Sequence, residues 1–390
     1  MKKLLCIVFS IAFVVASMFT LASCNKSSNT IKVGLIGPYT GELAQYGLAV
    51  QQGARLYFDK VNAAGGVNGK LLEVVYIDSK GTDTDAVTAY NRLKSQGVTA
   101  VMGAVVSGNT IAVAGVAKED NMPMVTASAT AEGVTLNADG SVNTNVFRAC
   151  FIDPFQGTKA AQYAKEVLDA KSVAILYCNG DAYSSGLTDA FVEEANSIGL
   201  NIVAKESYQS GDVDFSSQLT NIAAKGVDVI FCPNYYQDDG KIITQARSAG
   251  ITAQFLGGDG WDGVLNFASA KDLEGTVYIA SYASGASEAV NTFEKEFTDK
   301  WTNQYLNMFA ATAYDAAMLI VNGLTYAESK GFETGSDAYK LAVIDGIKNH
   351  SDDVKGVTSD GYSFDSKNNP IKQAFMIKIE DGKTVFDRVY

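Results

Sequence analysis

The chain has 390 residues, 47% hydrophobic content, one histidine and a formal net charge of -12 at pH 7. Such acidity argues against nucleic acid and anionic lipid surfaces as partners, and the apolar content excludes a disordered chain. The length is too great for one comfortable core and suits two domains.

Met1, Lys2 and Lys3 precede an apolar run over 4–21 broken only by Ser10, Ser17 and Thr20, the layout of a secretory signal. A membrane-spanning anchor is the alternative, since the run approaches bilayer thickness. Leu21-Ala22-Ser23-Cys24 carries the small residues before cysteine that lipoprotein processing requires. The expectation is therefore a signal peptide over 1–23, a diacylglycerol on Cys24, and a flexible tether over 24–30. Removing Lys2 and Lys3 with the signal takes the formal charge from -12 to -14. Cys150, Cys178 and Cys232 remain, an odd set that cannot form a complete disulfide framework. Cys178 and Cys232 close predicted strands, where small buried thiols are ordinary.

From residue 31 short apolar strands alternate with amphipathic stretches of helical length. The pattern predicts strands over 31–36, 71–77, 100–105 and 124–126, with helices over 46–63, 83–96 and 110–120. The rhythm restarts after Phe147, with strands over 172–177, 202–206, 227–232 and 254–256 and helices beginning near 184, 215 and 238. A third block, a strand over 276–281 and helices over 287–301, 309–329 and 337–348, has too few strands to stand alone. Segments 374–379 and 385–389 flank Asp381-Gly382, a hairpin signal that should extend a sheet edge. Strands separated by helices imply an α/β fold with parallel sheets covered on both faces. Ligands of such sheets bind beyond the carboxyl ends of the strands, which here becomes a cleft between two domains.

Enzyme signatures are missing. Gly34-Leu35-Ile36-Gly37-Pro38-Tyr39-Thr40-Gly41 lacks the spacing of a dinucleotide loop, and no phosphate-binding G-x-x-x-x-G-K-[ST] sequence occurs. A catalytic triad or histidine metal site would have to be built on His350, which falls on a polar segment beyond a helix. Neither a metal nor a cofactor is expected.

The strand ends carry a different chemistry. Ser107-Gly108-Asn109-Thr110 opens a helix after the third strand and offers hydroxyls and free N–H groups to an anion; Ser128-Ala129-Thr130 follows the fourth. Each is equally readable as a helix cap or loop hydroxyl; side by side they look like a carboxylate cradle. In the second half, Asp181-Ala182-Tyr183, Tyr235-Tyr236 and Gly257-Gly258-Asp259-Gly260-Trp261 follow strands. An aspartate between glycines beside aromatic rings suits an ammonium group, or is simply a solvated turn. Anion donors on one side and a carboxylate on the other point to an α-amino acid as the ligand that closes the cleft.

Several longer stretches carry a family resemblance. They are Ile31-Lys32-Val33-Gly34, Ala44-Gln45-Tyr46-Gly47, Gly53-Ala54-Arg55 and Val61-Asn62-Ala63-Ala64-Gly65-Gly66-Val67-Asn68-Gly69. To these add 149–157, Asp181-Ala182-Tyr183-Ser184-Ser185-Gly186, Gln245-Ala246-Arg247-Ser248-Ala249-Gly250 and Ala313-Tyr314-Asp315-Ala316. From 31 to about 389 the chain resembles the periplasmic leucine/isoleucine/valine-binding proteins, type I solute-binding proteins of branched-chain amino-acid ABC transporters. The resemblance implies two Rossmann-like lobes, 31–148 plus 282–353 and 149–281 plus 354–390, joined by three crossovers. It implies a monomeric, cofactor-free protein with no enzymatic activity that hands an amino acid to an ABC permease.

Carried over residue by residue, Ser107 and Thr130 would hold the ligand carboxylate and the Ala129 carbonyl would face its ammonium. Tyr183, Tyr235 and Asp259 would close from the second lobe, with Asp259 taking the ammonium. Tyr46 stands where well-known members have tryptophan, and Phe309 where an aromatic wall is expected. Asp259 replaces a glutamate, shortening the reach by one methylene, and the first-lobe cysteine pair of some members is missing, with Val106 at one position. Two other readings keep the fold: an amide or small aromatic acid as ligand, with Tyr46 and Trp261 shaping the pocket, or a sensory ligand-binding subunit.

Overall fold

The structure, a computed structural model, describes residues 30–301 and 305–390; the signal segment, Cys24 and the tether up to residue 29 lie outside the described residues. β1 (Thr30–Gly37), α1 (Ala44–Ala63), β2 (Leu71–Asp78), α2 (Asp83–Ser95), β3 (Ala100–Met102), α3 (Ser107–Ala117), β4 (Met124–Thr126) and β5 (Val146–Arg148) build the first sheet. Its five strands run in the order β2-β1-β3-β4-β5, all parallel.

The chain then enters a second sheet through α4 (Asp153–Glu166), β6 (Val173–Cys178), α5 (Ala182–Ile198), β7 (Ile202–Tyr208), α6 (Ser216–Ala223), β8 (Val229–Cys232), α7 (Tyr236–Ser248), β9 (Gln254–Gly257), α8 (Ala270–Leu273) and β10 (Val277–Ala280). Three helices follow, α9 (Glu288–Lys300), α10 (Met308–Ser329) and α11 (Asp337–Asn349), and α10 packs on α1 and the first sheet. Last come β11 (Phe375–Glu380) and β12 (Lys383–Val389), giving the second sheet the order β12-β11-β10-β9-β8-β6-β7.

The strands form where β-branched and aliphatic residues crowd together: Ile31, Val33, Leu35 and Ile36 of β1 and Val173 to Leu176 of β6 are all buried. α10 is long and apolar because it is a core helix, with Ala310, Ala313, Ala317, Ile320 and Leu324 fully covered. A Cβ on Gly53 of α1 would lie 2.0 Å from the Ala310 carbonyl oxygen, so only glycine permits this helix pair to touch. β11 and β12 form the expected hairpin, with Asp381 and Gly382 both at positive φ, and β11 adds antiparallel to β10.

The structure departs from the sequence reading in three places. β3 ends at Met102 and not at Val105, because Gly103 (φ +152) and Val105 (φ +78) turn the chain out of the ladder. β5 closes the first sheet, although only three residues long and ending in a buried arginine. α4 begins at Asp153, inside the 149–157 stretch for which the pattern above gave no helix, with Pro154 in its first turn where no N–H is needed.

Candidate functional site

The carboxyl ends of the two sheets face each other across a small cavity lined by Tyr46, Val105, Val106, Ser107, Ser128, Thr130, Tyr183, Tyr235, Asp259, Gly260 and Phe309. The empty space among these residues, with the solvent at its mouth, is about 270 Å³.

On the first-sheet side the wall is made by the start of α3. Its N-cap is Val106, which has no side-chain oxygen to cap the helix, so the N–H groups of the first turn keep their partial positive charge toward the cavity. Thr110 braces the approach: its hydroxyl donates to the Val106 carbonyl (2.8 Å) and accepts from the Ala104 N–H (3.0 Å). The Ser128 hydroxyl donates to the Val105 carbonyl at 2.7 Å. Val105, β-branched at φ +78, is held in an unfavourable conformation by these contacts, at a cost of about 1–3 kcal/mol. Ser107 is the first helical residue, and its hydroxyl accepts the Ala131 N–H at 3.3 Å, leaving its own proton for another acceptor. This wall presents hydrogen-bond donors to the cavity.

The second-sheet wall carries the opposite character. Asp259 opens a single 3₁₀ turn (Asp259–Trp261) after β9 and is only 4% exposed. Gln156 of α4 brackets it: Nε2 donates to Asp259 Oδ1 at 3.0 Å and Oε1 accepts the Asp259 N–H at 3.0 Å. Burial pushes the carboxyl up to about 7, opposed by the Gln156 amide and the Tyr183 hydroxyl. No lysine, arginine or histidine among the described residues forms an ion pair with it. Gly260 lets this turn lie against the loop after β8, since a Cβ there would sit 2.2 Å from the Asn234 carbonyl oxygen. The Gly260 N–H donates to Tyr183 Oη at 3.0 Å.

Aromatic rings fill the space between the walls. Tyr183 and Tyr235 stack 5.1 Å apart, and Tyr46 meets Phe309, Tyr235 and Tyr236 edge-on. Tyr46 also ties the two sides together: its hydroxyl donates to the Gly260 carbonyl and accepts the Tyr236 N–H at 3.3 Å. Tyr236 returns the contact by donating to the Glu42 carbonyl at 2.7 Å, and Asn266 donates to Gln45 at 3.0 Å. The cleft is closed. Burial raises the phenol pKa of Tyr46, Tyr183 and Tyr235, so all three stay protonated and able to donate.

Seven of the eight residues singled out from sequence line the cavity: Tyr46, Ser107, Thr130, Tyr183, Tyr235, Asp259 and Phe309. Ala129 does not. Its carbonyl is taken by the guanidinium of Arg148 (Nη1, 2.8 Å) and by Cys150 Sγ (3.4 Å), and a buried cation beside that oxygen disfavours a second one. Trp261 also lies away from the cavity: it is fully buried behind β9 with Nε1 donating to the Cys232 carbonyl at 2.7 Å. Asp181 acts as the N-cap of α5, accepting the Ser184 N–H at 2.8 Å. The three thiols are buried and unpaired, and the exposed His350 stacks on Tyr326 and is not among the residues that line the cavity. Sequence reasoning missed Gln156 and Asp153, whose Asp-x-x-Gln spacing sets both side chains on one face of α4.

A model of the family described as periplasmic binding protein matches residues 30–384. The chain belongs to that family. This periplasmic binding protein is 32% identical to the Leu/Ile/Val-binding protein BraC3 of Rhizobium johnstonii, over 84% of this chain and 87% of that one. Its fold is that of the branched-chain amino acid transporter substrate binding protein LivJ from Streptococcus pneumoniae, solved with isoleucine: TM-score 0.84, 34% identity, covering 93% of this chain and 99% of that one. The leucine binding protein LivK from Thermotoga maritima superimposes with a TM-score of 0.83 at 27% identity, covering 92% and 98%. The type I periplasmic binding protein fold is thereby established.

Proposed function

We propose that this periplasmic binding protein captures an α-amino acid with a branched aliphatic side chain, leucine, isoleucine or valine, and delivers it to an ABC-transporter permease. One observation carries the reading. An uncapped helix start with the uncommitted Ser107 hydroxyl proton and a buried aspartate without an internal counter-charge face each other across one small cavity whose middle is apolar and aromatic. A zwitterion places its carboxylate at Ser107, Thr130 and the start of α3, its ammonium at Asp259 between Tyr183 and Tyr235, and its side chain against Val105, Val106, Tyr46 and Phe309. The names of LivJ, LivK and BraC3 support the same ligand class.

In this reading 31–148 plus 282–353 and 149–281 plus 354–390 are two lobes hinged at three crossovers, and the Tyr46 strap closes them over the ligand. The protein works as a monomer outside the cytoplasmic membrane, anchored by lipid on Cys24, and performs no covalent chemistry. The test is calorimetric titration of the chain from Asn25 onward, unfolded and refolded to strip carried ligand, against amino acids, amides and small aromatic acids. Saturable binding of leucine, isoleucine or valine is the expected result. Binding of an amide or aromatic acid alone would overturn the assignments of Asp259 and Ser107.

A further inference from the structure

Behind the cavity wall lies a second buried carboxylate that the binding geometry does not use. Asp153, the first residue of α4, is 1% exposed, and its N–H donates to the Thr130 carbonyl at 3.0 Å, directly behind a cavity residue. The Gln156 amide joins it to Asp259: Nε2 reaches Asp259 Oδ1 at 3.0 Å and Asp153 Oδ1 at 3.4 Å. Asp153 Oδ2 makes no hydrogen bond of good geometry. One neutral NH₂ group thus serves two buried carboxylates.

The charged surroundings do not compensate for them. Among the described residues Arg148 of β5 is the cation that acts on Asp153; its Nη groups donate to the carbonyls of Ala129 and Ala131 and to the Thr135 hydroxyl, and its buried Nε–H has no partner. It forms no ion pair with either aspartate. From α5 the pair faces the Asp181 carboxylate and the Tyr183 phenol; from the loop after β9, Asp262; from the start of α7, Tyr235; and from the end of β5, the Cys150 thiol. All of these are acids. Two negative charges on one amide in such a setting repel strongly, and a proton shared between them relieves the repulsion.

We propose that Asp153, Gln156 and Asp259 form one titrating unit that holds a proton in the ligand-free protein, and that the ammonium of an arriving amino acid displaces this proton to solvent. The inference rests on the amino-acid reading above and adds a proton linkage to it. The balance is simple: a protonated carboxyl plus a ligand ammonium becomes a carboxylate–ammonium pair, and the released proton goes to buffer. Asp153 is a positioning residue, since it touches Asp259 only through Gln156. Burial raises the pKa of both carboxyls, in keeping with the arrangement.

Calorimetric titration of the refolded protein with leucine, from about pH 5 to about pH 8 in buffers of low and high ionisation enthalpy, reads the linkage directly. The expected result is release of about one proton per leucine near neutral pH, with affinity rising up to about tenfold per pH unit below it. Asp153→Asn should abolish the release at neutral pH and move the loss of affinity to lower pH. An Asp153→Asn variant that weakens binding equally at every pH would mark Asp153 as merely structural and overturn the proposal. So would wild-type heats independent of buffer. Infrared difference spectra of the wild-type protein give a check independent of any variant: leucine should remove a protonated-carboxyl band, and an unchanged band contradicts the shared proton. Absence of amino-acid binding at every pH would instead defeat the underlying reading.

Discussion

Asp315 and Asp259 are both buried aspartates, and their surroundings could hardly differ more. Asp315 of α10 accepts the N–H groups of Val357 (2.6 Å) and Thr358 (2.8 Å) and the hydroxyls of Thr358 (2.7 Å) and Tyr362 (2.8 Å). Lys372 completes the cluster by donating to the Thr358 carbonyl at 2.9 Å and to Tyr362 Oη at 3.1 Å. The segment that carries the chain from α11 back to the second sheet is pinned to α10 by one carboxylate. Asp259 has the Gln156 amide and the Tyr183 hydroxyl but no ion-pair partner among the described residues, and it faces a cavity. A buried charge met by four donors from within the chain maintains architecture; one left short of partners beside an empty space has acceptor capacity to offer from outside the chain.

Substitutions at the two sites should therefore separate stability from binding. Asp315→Ala strands two N–H groups and two hydroxyls, each at a cost of about 1–3 kcal/mol; thermal melts should show a marked loss of stability, and an unchanged Tm would refute the structural role. Asp259→Asn should do the reverse. It removes a carboxyl whose ionisation burial opposes, so the ligand-free Tm holds or rises, while leucine affinity falls ten- to a hundred-fold, or about 1.5–3 kcal/mol. Calorimetry paired with a melt on the same sample checks both halves.

On the opposite wall, Ser107→Ala removes one neutral donor among several and should weaken binding by about 0.5–1.5 kcal/mol without altering selectivity among aliphatic side chains. A further effect concerns pH. Asp259, raised to about 7 in the folded protein, binds a proton there that the unfolded chain has already lost above the ordinary carboxylate range. The folded state thus holds more protons between those limits, and stability contributed by this group falls as pH rises toward about 7. Melts of the ligand-free protein should decline by a few degrees over that window, with leucine adding more to Tm at about pH 8 than at about pH 5.

The sequence reading located most strands within a residue or two because each is a short, dense apolar run set off by polar or glycine-rich turns. It missed β5 because a three-residue strand ending in Arg148 has no such signature; that arginine is buried by carbonyls from Ala129 and Ala131, which only the fold brings together. The same contact explains the misplaced Ala129 carbonyl. Trp261 looked like a pocket residue because it follows Asp259 by two positions, yet the 3₁₀ turn sends its ring back against Phe255 of β9. Ser107, Asp259 and the tyrosines were legible because a doubly wound sheet presents the ends of its strands to ligand, so position along the chain already implied position in space. Asp153 and Gln156 act one layer further back, where helix packing and not strand order decides which side chains meet.

The most direct test of the central claim is a crystal structure of the refolded protein grown with leucine. The account predicts the ligand ammonium within hydrogen-bonding distance of the Asp259 carboxylate, its carboxylate at Ser107 and the first turn of α3, and its isobutyl group against Tyr46 and Phe309. Leucine in the reverse orientation, or bound away from this cavity, would contradict it.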